Sequence, residues 1–404
     1  MVSGVGVIPN RQLKSATRLH PASGGLGETP RPTVKVRIRG NKMRASLRAL
    51  FCAPRRSIRG VAMMINAISA MRRANEISKL GLGKSAPNPI VGAVIIGGDG
   101  QIISEGFHHS QGGGKHAEVV ALEGAGQKSI GAILFVTLEP CNHMGKTPPC
   151  SEAIIAAGIK KVIFAVSDPN PIAQGGVKKL IDAGIIVEQG LLQDEVSFTN
   201  RAWLGKINNS RPYITIKIAA SLDGKVAALD GSSKWITSEI SRSDVAILRS
   251  QCDAIVTGTG TVLADNPSLT VRNVERENFE FRPVRVILGK REIPIDSKIL
   301  DKSAETIQIN DSDLGAFIEL AKERSWNQVL IEAGPTLSSA FLKAGLFDEV
   351  FLYQAPTLLG SGLDFAGNLG IESLNQRLDL ELIAADLLGN KDKNLRLHLL
   401  AVSK

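Results

Sequence analysis

The chain has 404 residues, of which 43% are hydrophobic, and it carries a formal net charge of +9. This length exceeds the size at which one hydrophobic core keeps growing, so we expect two domains. No uninterrupted apolar run approaches the roughly 20 residues that cross a bilayer, which excludes a membrane-spanning protein and predicts a soluble one.

The positive charge is concentrated at the start of the chain. Residues 1–60 hold 13 Lys and Arg against one acidic residue, Glu28, for a net charge of +12. Subtracting +12 from +9 leaves −3 for residues 61–404. The body of the chain therefore predicts neither a nucleic-acid partner nor a membrane partner. Because residues 1–60 also lack hydrophobic periodicity, we interpret 1–62 as a disordered basic leader outside the folded protein.

The predicted elements of the first half begin with a helix near Met64 that ends at Gly81. Strands are predicted at 90–97, 132–138, 161–167 and 185–189, and helices near 116–125, 148–157 and 176–183. This alternation predicts a sheet covered by helices on both faces. Polar residues around 190–212 predict a linker, which places the first domain at 63–205.

A second α/β series follows the predicted linker and defines a domain at 211–404. Strands are predicted at 213–219, 253–258, 284–288, 328–332, 349–354 and 395–402, and helices near 239–251, 314–325 and 336–344. No internal repeat relates the two halves.

Four cysteines are too few for a disulfide framework in a chain this long, which predicts a reducing, cytoplasm-like compartment. Cys141 and Cys150 each precede a predicted helix, as does His116. One imidazole and two thiolates suit a Zn²⁺ ion that keeps a fourth position open for water. Glu118, two residues after His116, is placed to carry protons, the arrangement of zinc deaminases as a class. A structural zinc is the alternative.

Five motifs of the first half occur together: APNPIVG at 86–92, EGFH at 105–108, HAE at 116–118, TLEPCNHMGKTPPC at 137–150 and DPNP at 168–171. They resemble the deaminase domain of the bifunctional riboflavin biosynthesis enzymes, with a cytidine-deaminase-like three-layer α/β/α fold. The eight residues between Cys141 and Cys150 distinguish it from cytidine and nucleic-acid deaminases, which usually have two. The resemblance implies the substrate 2,5-diamino-6-(ribosylamino)pyrimidin-4-one 5′-phosphate. It implies that Asn88 lines the pyrimidine pocket; a turn residue is the alternative. Lys146 is a candidate for the phosphate, with a solvated lysine as the alternative.

In the second half, Leu263 stands where a third Gly would complete the Rossmann fingerprint, which disfavours that fold. The motifs present are RPYITIKIAASLDG at 211–224, SSKWIT at 232–237, LR at 248–249, DAIV at 253–256, TVLADNPSLTVR at 261–272 and EAGPTL at 332–337. This series resembles the riboflavin-pathway reductase, which has a dihydrofolate-reductase-like α/β fold and uses NADPH. With the deaminase motifs, the resemblance spans nearly all of 64–404.

The resemblance also implies which residues contact each ligand of the reductase. NADPH contacts fall on Ala219, Trp235, Thr261, Asp265, Gly334, Pro335 and Thr336. Substrate contacts fall on Ser233, Arg249, Leu269, Arg272 and Glu332. The helix start after Gly334 suits a dinucleotide phosphate, with an ordinary helix cap as the alternative. The guanidinium groups of Arg249 and Arg272 suit the substrate phosphate, with surface arginines as the alternative. Gly289 and Lys290 depart from the family pattern, and Lys290 either pairs with the cofactor's 2′-phosphate or is solvated.

Two other functions share some of these features: a nucleic-acid-editing deaminase and a metal-stabilised binding protein without activity. The acidic body and the long cysteine loop oppose the first, and Glu118 with the reductase motifs opposes the second. We therefore expect a bacterial cytoplasmic enzyme acting on small phosphorylated pyrimidines. A homo-oligomer is compatible with the sequence.

The leader admits two interpretations. Its Arg-rich, acid-poor composition is compatible with a plastid transit peptide. However, GVIPNRQ at 6–12 and KSATR at 14–18 can be encoded by nucleotides that resemble the bacterial flavin-sensing RNA leader of riboflavin genes. We favour the hypothesis that 1–62 is regulatory RNA read in frame and that synthesis begins at Met63 or Met64. Peptides from residues 1–60 in the mature protein, detected by mass spectrometry, would contradict this hypothesis, and a nucleotide sequence without the RNA element would contradict it independently.

Overall fold

The computed structural model describes residues 66–402 apart from 109–113, 145–147, 172–174, 273–281, 312 and 390–392. The leader at 1–62, the start sites Met63 and Met64, and Lys146 lie outside the described residues. Among the helices that the structure describes, none has the length and apolar character needed to cross a membrane.

The first half is built around a five-stranded sheet. In chain order its elements are α1 (Ala67–Ser78), β1 (Gly92–Ile96), β2 (Ile102–Phe107), α2 (Ala117–Ala125), β3 (Ile133–Leu138), α3 (Cys150–Ala156), β4 (Lys161–Val166), α4 (Gly176–Asp182) and β5 (Ile186–Gln189). The strand order is β2-β1-β3-β4-β5. Strand β1 is antiparallel to both its neighbours, whereas β3, β4 and β5 are parallel.

Two glycines show how closely helices cover both faces of this sheet. A Cβ on Gly92 would lie 2.0 Å from the carbonyl oxygen of Ala74 in α1, and a Cβ on Gly106 would lie 2.3 Å from that of Ala117 in α2. Gly106 pairs with Ala93, the neighbour of Gly92, so the two glycines face opposite sides of the sheet. Helices α1 and α2 therefore pack on opposite faces, which confirms the predicted layering.

The segment predicted as a linker is instead two helices, α5 (Gln193–Thr199) and α6 (Arg201–Asn209). Its polar residues suggested a loop, but Val196 and Trp203 are buried in the core of the first half. Because an amphipathic helix exposes polar residues on its outer face, polarity alone did not distinguish helix from loop. The two domains are thus joined by packed helices.

The second half contains an eight-stranded sheet. Its elements are β6 (Tyr213–Ala220), β7 (Lys225–Ala227), α7 (Glu239–Ser250), β8 (Ala254–Gly258), α8 (Thr259–Asp265), β9 (Val284–Leu288), β10 (Thr306–Ile309), α9 (Leu314–Glu323), β11 (Gln328–Ile331), α10 (Pro335–Lys343), β12 (Glu349–Gln354), β13 (Leu363–Asp364), β14 (Leu380–Leu388) and β15 (Asn394–Ala401). The strand order is β10-β9-β8-β11-β6-β12-β15-β14. The six strands from β10 to β12 are parallel, β15 is antiparallel to β12, and β14 is antiparallel to β15.

Alternate residues of the central strands enter two separate cores. In β11, Val329 and Ile331 belong to one hydrophobic cluster and Leu330 to another. In β9, Val286 and Ile287 divide in the same way. Since successive strand residues point to opposite faces, the sheet is buried on both sides, as parallel sheets are. This leaves the strand ends as the places where ligands can bind.

Candidate active sites

Three metal-ligating side chains of the first half meet where elements begin and end. His116 is the N-cap of α2, Cys141 follows β3, and Cys150 is the first residue of α3. Nδ1 of His116 lies 3.1 Å from Sγ of Cys150 and 3.5 Å from Sγ of Cys141. The ligand atoms of all three residues lie within 4.8 Å of one another. The structure therefore brings together the three residues predicted to bind zinc.

The cluster fits a zinc ion by distance and by charge. Two ligands of a tetrahedral zinc, each bonded at about 2.0–2.3 Å, are about 3.5 Å apart, close to the separations found here. A hydrogen bond from the Cys150 thiol, together with the His116 ring, lowers the pKa of Cys141 to about 4. Cys141, Cys150 and Cys252 are free thiols. These residues thus supply a preformed thiolate-containing site, which excludes a Cys141–Cys150 disulfide here.

Glu118 lies beside this cluster in the first turn of α2. Only 4% of its surface is exposed, and burial raises the pKa of its carboxyl group. The side chain interacts with Cys150. Glu118 is outside the three-residue ligand group, so its carboxyl group is available for proton transfer.

Asn88 reaches the same region through His108. Nε2 of His108 lies 3.1 Å from Nδ2 of Asn88, and Nδ1 lies 3.0 Å from the carbonyl oxygen of Lys115. Since a carbonyl oxygen only accepts, Nδ1 donates and Nε2 accepts from the Asn88 amide. The His108 ring also contacts the His116 ring edge to face, with centroids 5.7 Å apart. His108 thereby orients the amide of Asn88 next to the metal ligands.

The residues predicted to contact NADPH lie along the carboxyl edge of the eight-stranded sheet. Ala219 is near the end of β6, Thr261 and Asp265 lie in α8 directly after β8, and Gly334 caps α10 after β11. The hydroxyl of Thr261 accepts a hydrogen bond of 3.0 Å from the Gly334 amide. Pro335 and Thr336 open α10. Nucleotides bind at such an edge in open parallel sheets, so the placement fits the cofactor.

Two predicted substrate residues, Arg249 and Glu332, form a buried ion pair. Nε and Nη2 of Arg249 donate to the Glu332 carboxylate at 2.5 and 2.9 Å, and Nζ of Lys217 lies 3.6 Å from it. Burial alone would raise the pKa of Glu332, but Arg249 and Lys217 lower it to about 2. Sequence reasoning assigned no role to Lys217, although a lysine inside an otherwise apolar strand was a usable signal.

The remaining predicted reductase residues surround this edge. Ser233 donates to Asp265 at 2.6 Å, which joins a predicted substrate residue to a predicted cofactor residue. Trp235 is 72% exposed and has a left-handed backbone, as does the buried Leu269. Such backbones are uncommon for large side chains and concentrate at ligand sites. The strain marks both residues as candidate ligand contacts.

The exposed side chains of Arg272 and Lys290 differ in their polar partners. Arg272 is exposed and donates to Thr270 and Ser268, at 2.9 and 2.5 Å. Lys290 is also exposed, and its Nζ lies 3.8 Å from Oδ1 of Asp311. Among the described residues, the ion-pair partners of Glu332 are Lys217 and Arg249, not Lys290. The carboxyl edge therefore offers Arg272 to an anionic ligand, and Lys290 stays without an assigned role.

Comparison with known proteins defines the class of each half. Residues 64–166 match the cytidine and deoxycytidylate deaminase zinc-binding region, and residues 212–391 match the RibD C-terminal domain. The first match contains His116, Cys141 and Cys150. The chain thus combines a zinc-binding deaminase region with a second, reductase-type domain.

Whole-chain relatives identify the family. Riboflavin biosynthesis protein RibD of Mycobacterium tuberculosis is 43% identical, over 79% of this chain and 95% of its own length. RibD of Escherichia coli is 40% identical, over 72% and 88%. The structure of Acinetobacter baumannii RibD matches with a TM-score of 0.76 and 41% identity, over 83% of this chain and 99% of that one. The chain belongs to the RibD family of riboflavin biosynthesis proteins, and both predicted folds are confirmed.

A further solved structure shares the fold. The diaminohydroxyphosphoribosylaminopyrimidine deaminase/5-amino-6-(5-phosphoribosylamino)uracil reductase of Thermotoga maritima has a TM-score of 0.75 and 35% identity. The match covers 83% of this chain and 98% of that one.

Proposed function

We propose that the two halves of this chain catalyse two consecutive reactions of riboflavin biosynthesis. The first, residues 63–205, deaminates 2,5-diamino-6-(ribosylamino)pyrimidin-4-one 5′-phosphate. The second, residues 211–404, reduces the ribosyl group of the product to a ribityl chain with NADPH. The observation that carries the proposal is the separation of the sites: His116, Cys141 and Cys150 cluster in the first half, and the dinucleotide-type edge belongs to the second.

In the deaminase half, His116, Cys141 and Cys150 would hold the zinc ion, and Asn88 would bind the pyrimidine ring. Zinc, when bound, makes a water molecule acidic enough to supply hydroxide near neutral pH. The Glu118 carboxyl group moves a proton to the departing ring amine, which leaves as ammonia. That proton comes from the activated water, and Glu118, which is 4% exposed, lies beside the metal ligands. His108 holds the Asn88 amide in one orientation through the contact at 3.1 Å.

In the reductase half, the start of α10 and Thr261 would bind the phosphates of NADPH, with Ala219, Trp235 and Asp265 along the same edge. NADPH, when bound, supplies the hydride that reduces C1′ of the ring-opened ribosyl group. The Glu332 carboxylate stays ionised beside Arg249 and Lys217, so it accepts hydrogen bonds from the sugar hydroxyls. We assign the substrate phosphate to Arg272, whose guanidinium is exposed, while Arg249 orients Glu332.

The reactions are expected to take place in the bacterial cytoplasm, since the curated relatives named above are bacterial and the described cysteines are free thiols. Small phosphorylated pyrimidines are the substrates. The net charge of −3 on residues 61–404, obtained as 9 − 12, favours no polyanionic partner.

Two substitutions in the full chain test this function. Cys150→Ser should lose zinc and deamination, because a thiolate ligand is removed. Glu118→Gln should keep zinc and lose about 10²- to 10⁴-fold in deaminase kcat, because the proton carrier is removed. The measurements are zinc content and ammonia release from the phosphorylated diaminopyrimidine. NADPH oxidation with supplied 5-amino-6-(5-phosphoribosylamino)uracil is the control.

Both variants should oxidise NADPH at the wild-type rate when the deaminated intermediate is supplied. Normal ammonia release by Glu118→Gln would show that Glu118 is not the proton carrier. Loss of both activities in either variant would show that one composite site performs both reactions. Absence of NADPH oxidation by the wild-type chain would refute the assignment of the second half.

A further inference from the structure

The segment that carries Asn88 is held by a residue from the other half of the chain. Nδ2 of Asn327, which is 8% exposed and precedes β11 in the reductase half, donates to the carbonyl oxygen of Asn88 at 2.9 Å. The two asparagines are 239 residues apart in the sequence. A contact between the halves therefore reaches the backbone of a residue assigned to the pyrimidine pocket.

Asn327 is itself held from several directions. Its backbone amide donates to the Asp253 carboxylate at 2.7 Å, and its backbone carbonyl accepts from Tyr213 at 2.8 Å. Its side-chain oxygen accepts from Nζ of Lys206 at 3.0 Å. An ammonium group can only donate, so the Asn327 oxygen faces Lys206 and its NH₂ group faces Asn88. The donor that reaches Asn88 is thus in a defined orientation.

In the first half, Asn88 contacts both Asn327 and the residues around the metal site. Its side-chain amide contacts His108, which touches His116, whereas its backbone oxygen accepts from Asn327. The backbone amide of Asn88 donates to Ser85 at 2.8 Å, a local turn that does not fix the segment relative to the sheet. The bond from Asn327 supplies that restraint from outside the domain.

We infer that Asn327 of the reductase half is a positioning residue for deamination, which sets the place of Asn88 in the pyrimidine pocket. The inference rests on the proposed role of Asn88. The pyrimidine pocket of the first half is then completed by the second half, and the deaminase works at full affinity only in the two-domain chain. Precise placement of a binding group matters because small displacements weaken substrate binding.

The test is Asn327→Asp in the full chain. Aspartate has the shape of asparagine and keeps an oxygen for Lys206, but it has no NH₂ group to donate to Asn88. We expect the deaminase KM to rise about fivefold to tenfold, the effect of one lost hydrogen bond between neutral groups. Deaminase kcat should change by no more than about twofold, because the metal ligands and Glu118 are untouched.

Zinc content and the reductase KM for supplied 5-amino-6-(5-phosphoribosylamino)uracil should stay at wild-type values in the same preparation. Asn209→Asp is the matched control. Asn209 is on the joining helix α6 and contacts Asp348 at 3.5 Å instead of Asn88, so this variant should keep the wild-type deaminase KM. Equal losses in both activities of Asn327→Asp would indicate a general structural effect and overturn the inference.

A double-variant cycle separates positioning from the role of Asn88 itself. Asn88→Ala should raise the deaminase KM, and adding Asn327→Asp should then raise it no further, because the positioned side chain is gone. If Asn88→Ala has the wild-type KM, the proposed pocket residue is wrong. If Asn88→Ala raises KM but Asn327→Asp alone does not, or the two effects multiply fully, only the positioning role is wrong.

Discussion

Two buried carboxylates at opposite edges of the eight-stranded sheet have opposite electrostatic states. Asp253 precedes β8 at the amino edge, next to the first half of the chain, and Glu332 follows its neighbour β11 at the carboxyl edge, in the proposed reductase site. Burial raises the pKa of Asp253 to about 6, whereas the pKa of Glu332 is lowered to about 2. The same sheet thus buries one carboxyl group that protonates readily and one that stays ionised.

Their partners explain the difference. Glu332 has the forked guanidinium of Arg249 and the ammonium of Lys217, which outweigh the cost of burial. Asp253 accepts hydrogen bonds from the backbone amides of Asn327 and Gln328, and the charge of Lys206 acts only as a smaller influence. Burial alone therefore does not predict the charge of a carboxyl group. The charge is kept at the carboxyl edge, where the proposed substrate site lies, and the other edge joins the two halves.

The largest expected effect on stability comes from Arg249→Ala. This change leaves Glu332 buried with only Lys217 nearby, so the free energy of unfolding should fall by about 3 kcal/mol. Arg272→Ala, an exposed arginine of the same site, should change it by less than about 0.5 kcal/mol while the reductase KM rises. Urea unfolding and NADPH oxidation measure the two effects. Equal stability losses in both variants would contradict the assigned difference between the two arginines.

Asp253→Asn tests the opposite edge through pH. Because the folded state raises the pKa of Asp253 from 3.8 to about 6, the wild-type chain loses stability as pH rises through this window. One pKa unit corresponds to about 1.4 kcal/mol, so the loss reaches roughly 3 kcal/mol above pH 6. Asparagine keeps an oxygen for the two amides and cannot ionise. The unfolding free energy of Asp253→Asn, measured relative to wild type, should therefore rise by roughly 2 to 3 kcal/mol between pH 4 and pH 7. Parallel stability curves would show that Asp253 is not the group responsible.

A smaller effect than that of Asp253→Asn is expected for Lys206→Met. The charge of Lys206 lowers the pKa of Asp253, so its removal should move the pH-dependent loss of stability upward in pH. We expect a change below about 1 kcal/mol, since the lysine is only half buried. The comparison is made in the Asp253→Asn background, where the shift with pH should disappear. A shift that persists there would assign it to another group.

The metal site was the easiest part to predict from the sequence, because its ligands lie in two short motifs. His116, Cys141 and Cys150 were named from spacing and were found together. Several elements were missed. The sequence marks the β2 segment by a motif but does not predict it as a strand. It also does not predict β14, which pairs with β15. The joining helices α5 and α6 were mistaken for a linker.

The sequence by itself determined the α/β class, the His116, Cys141 and Cys150 group and the order of the two halves, because these follow from local periodicity and short spacings. Only the tertiary structure decided that Arg249 and Lys217 hold Glu332 ionised, that Asp253 is left without a comparable partner, and that Asn327 reaches Asn88 across 239 residues. Such contacts depend on which strand ends and helices are packed together. A side chain's charge and role at these sites are set by neighbours that no local pattern in the sequence identifies.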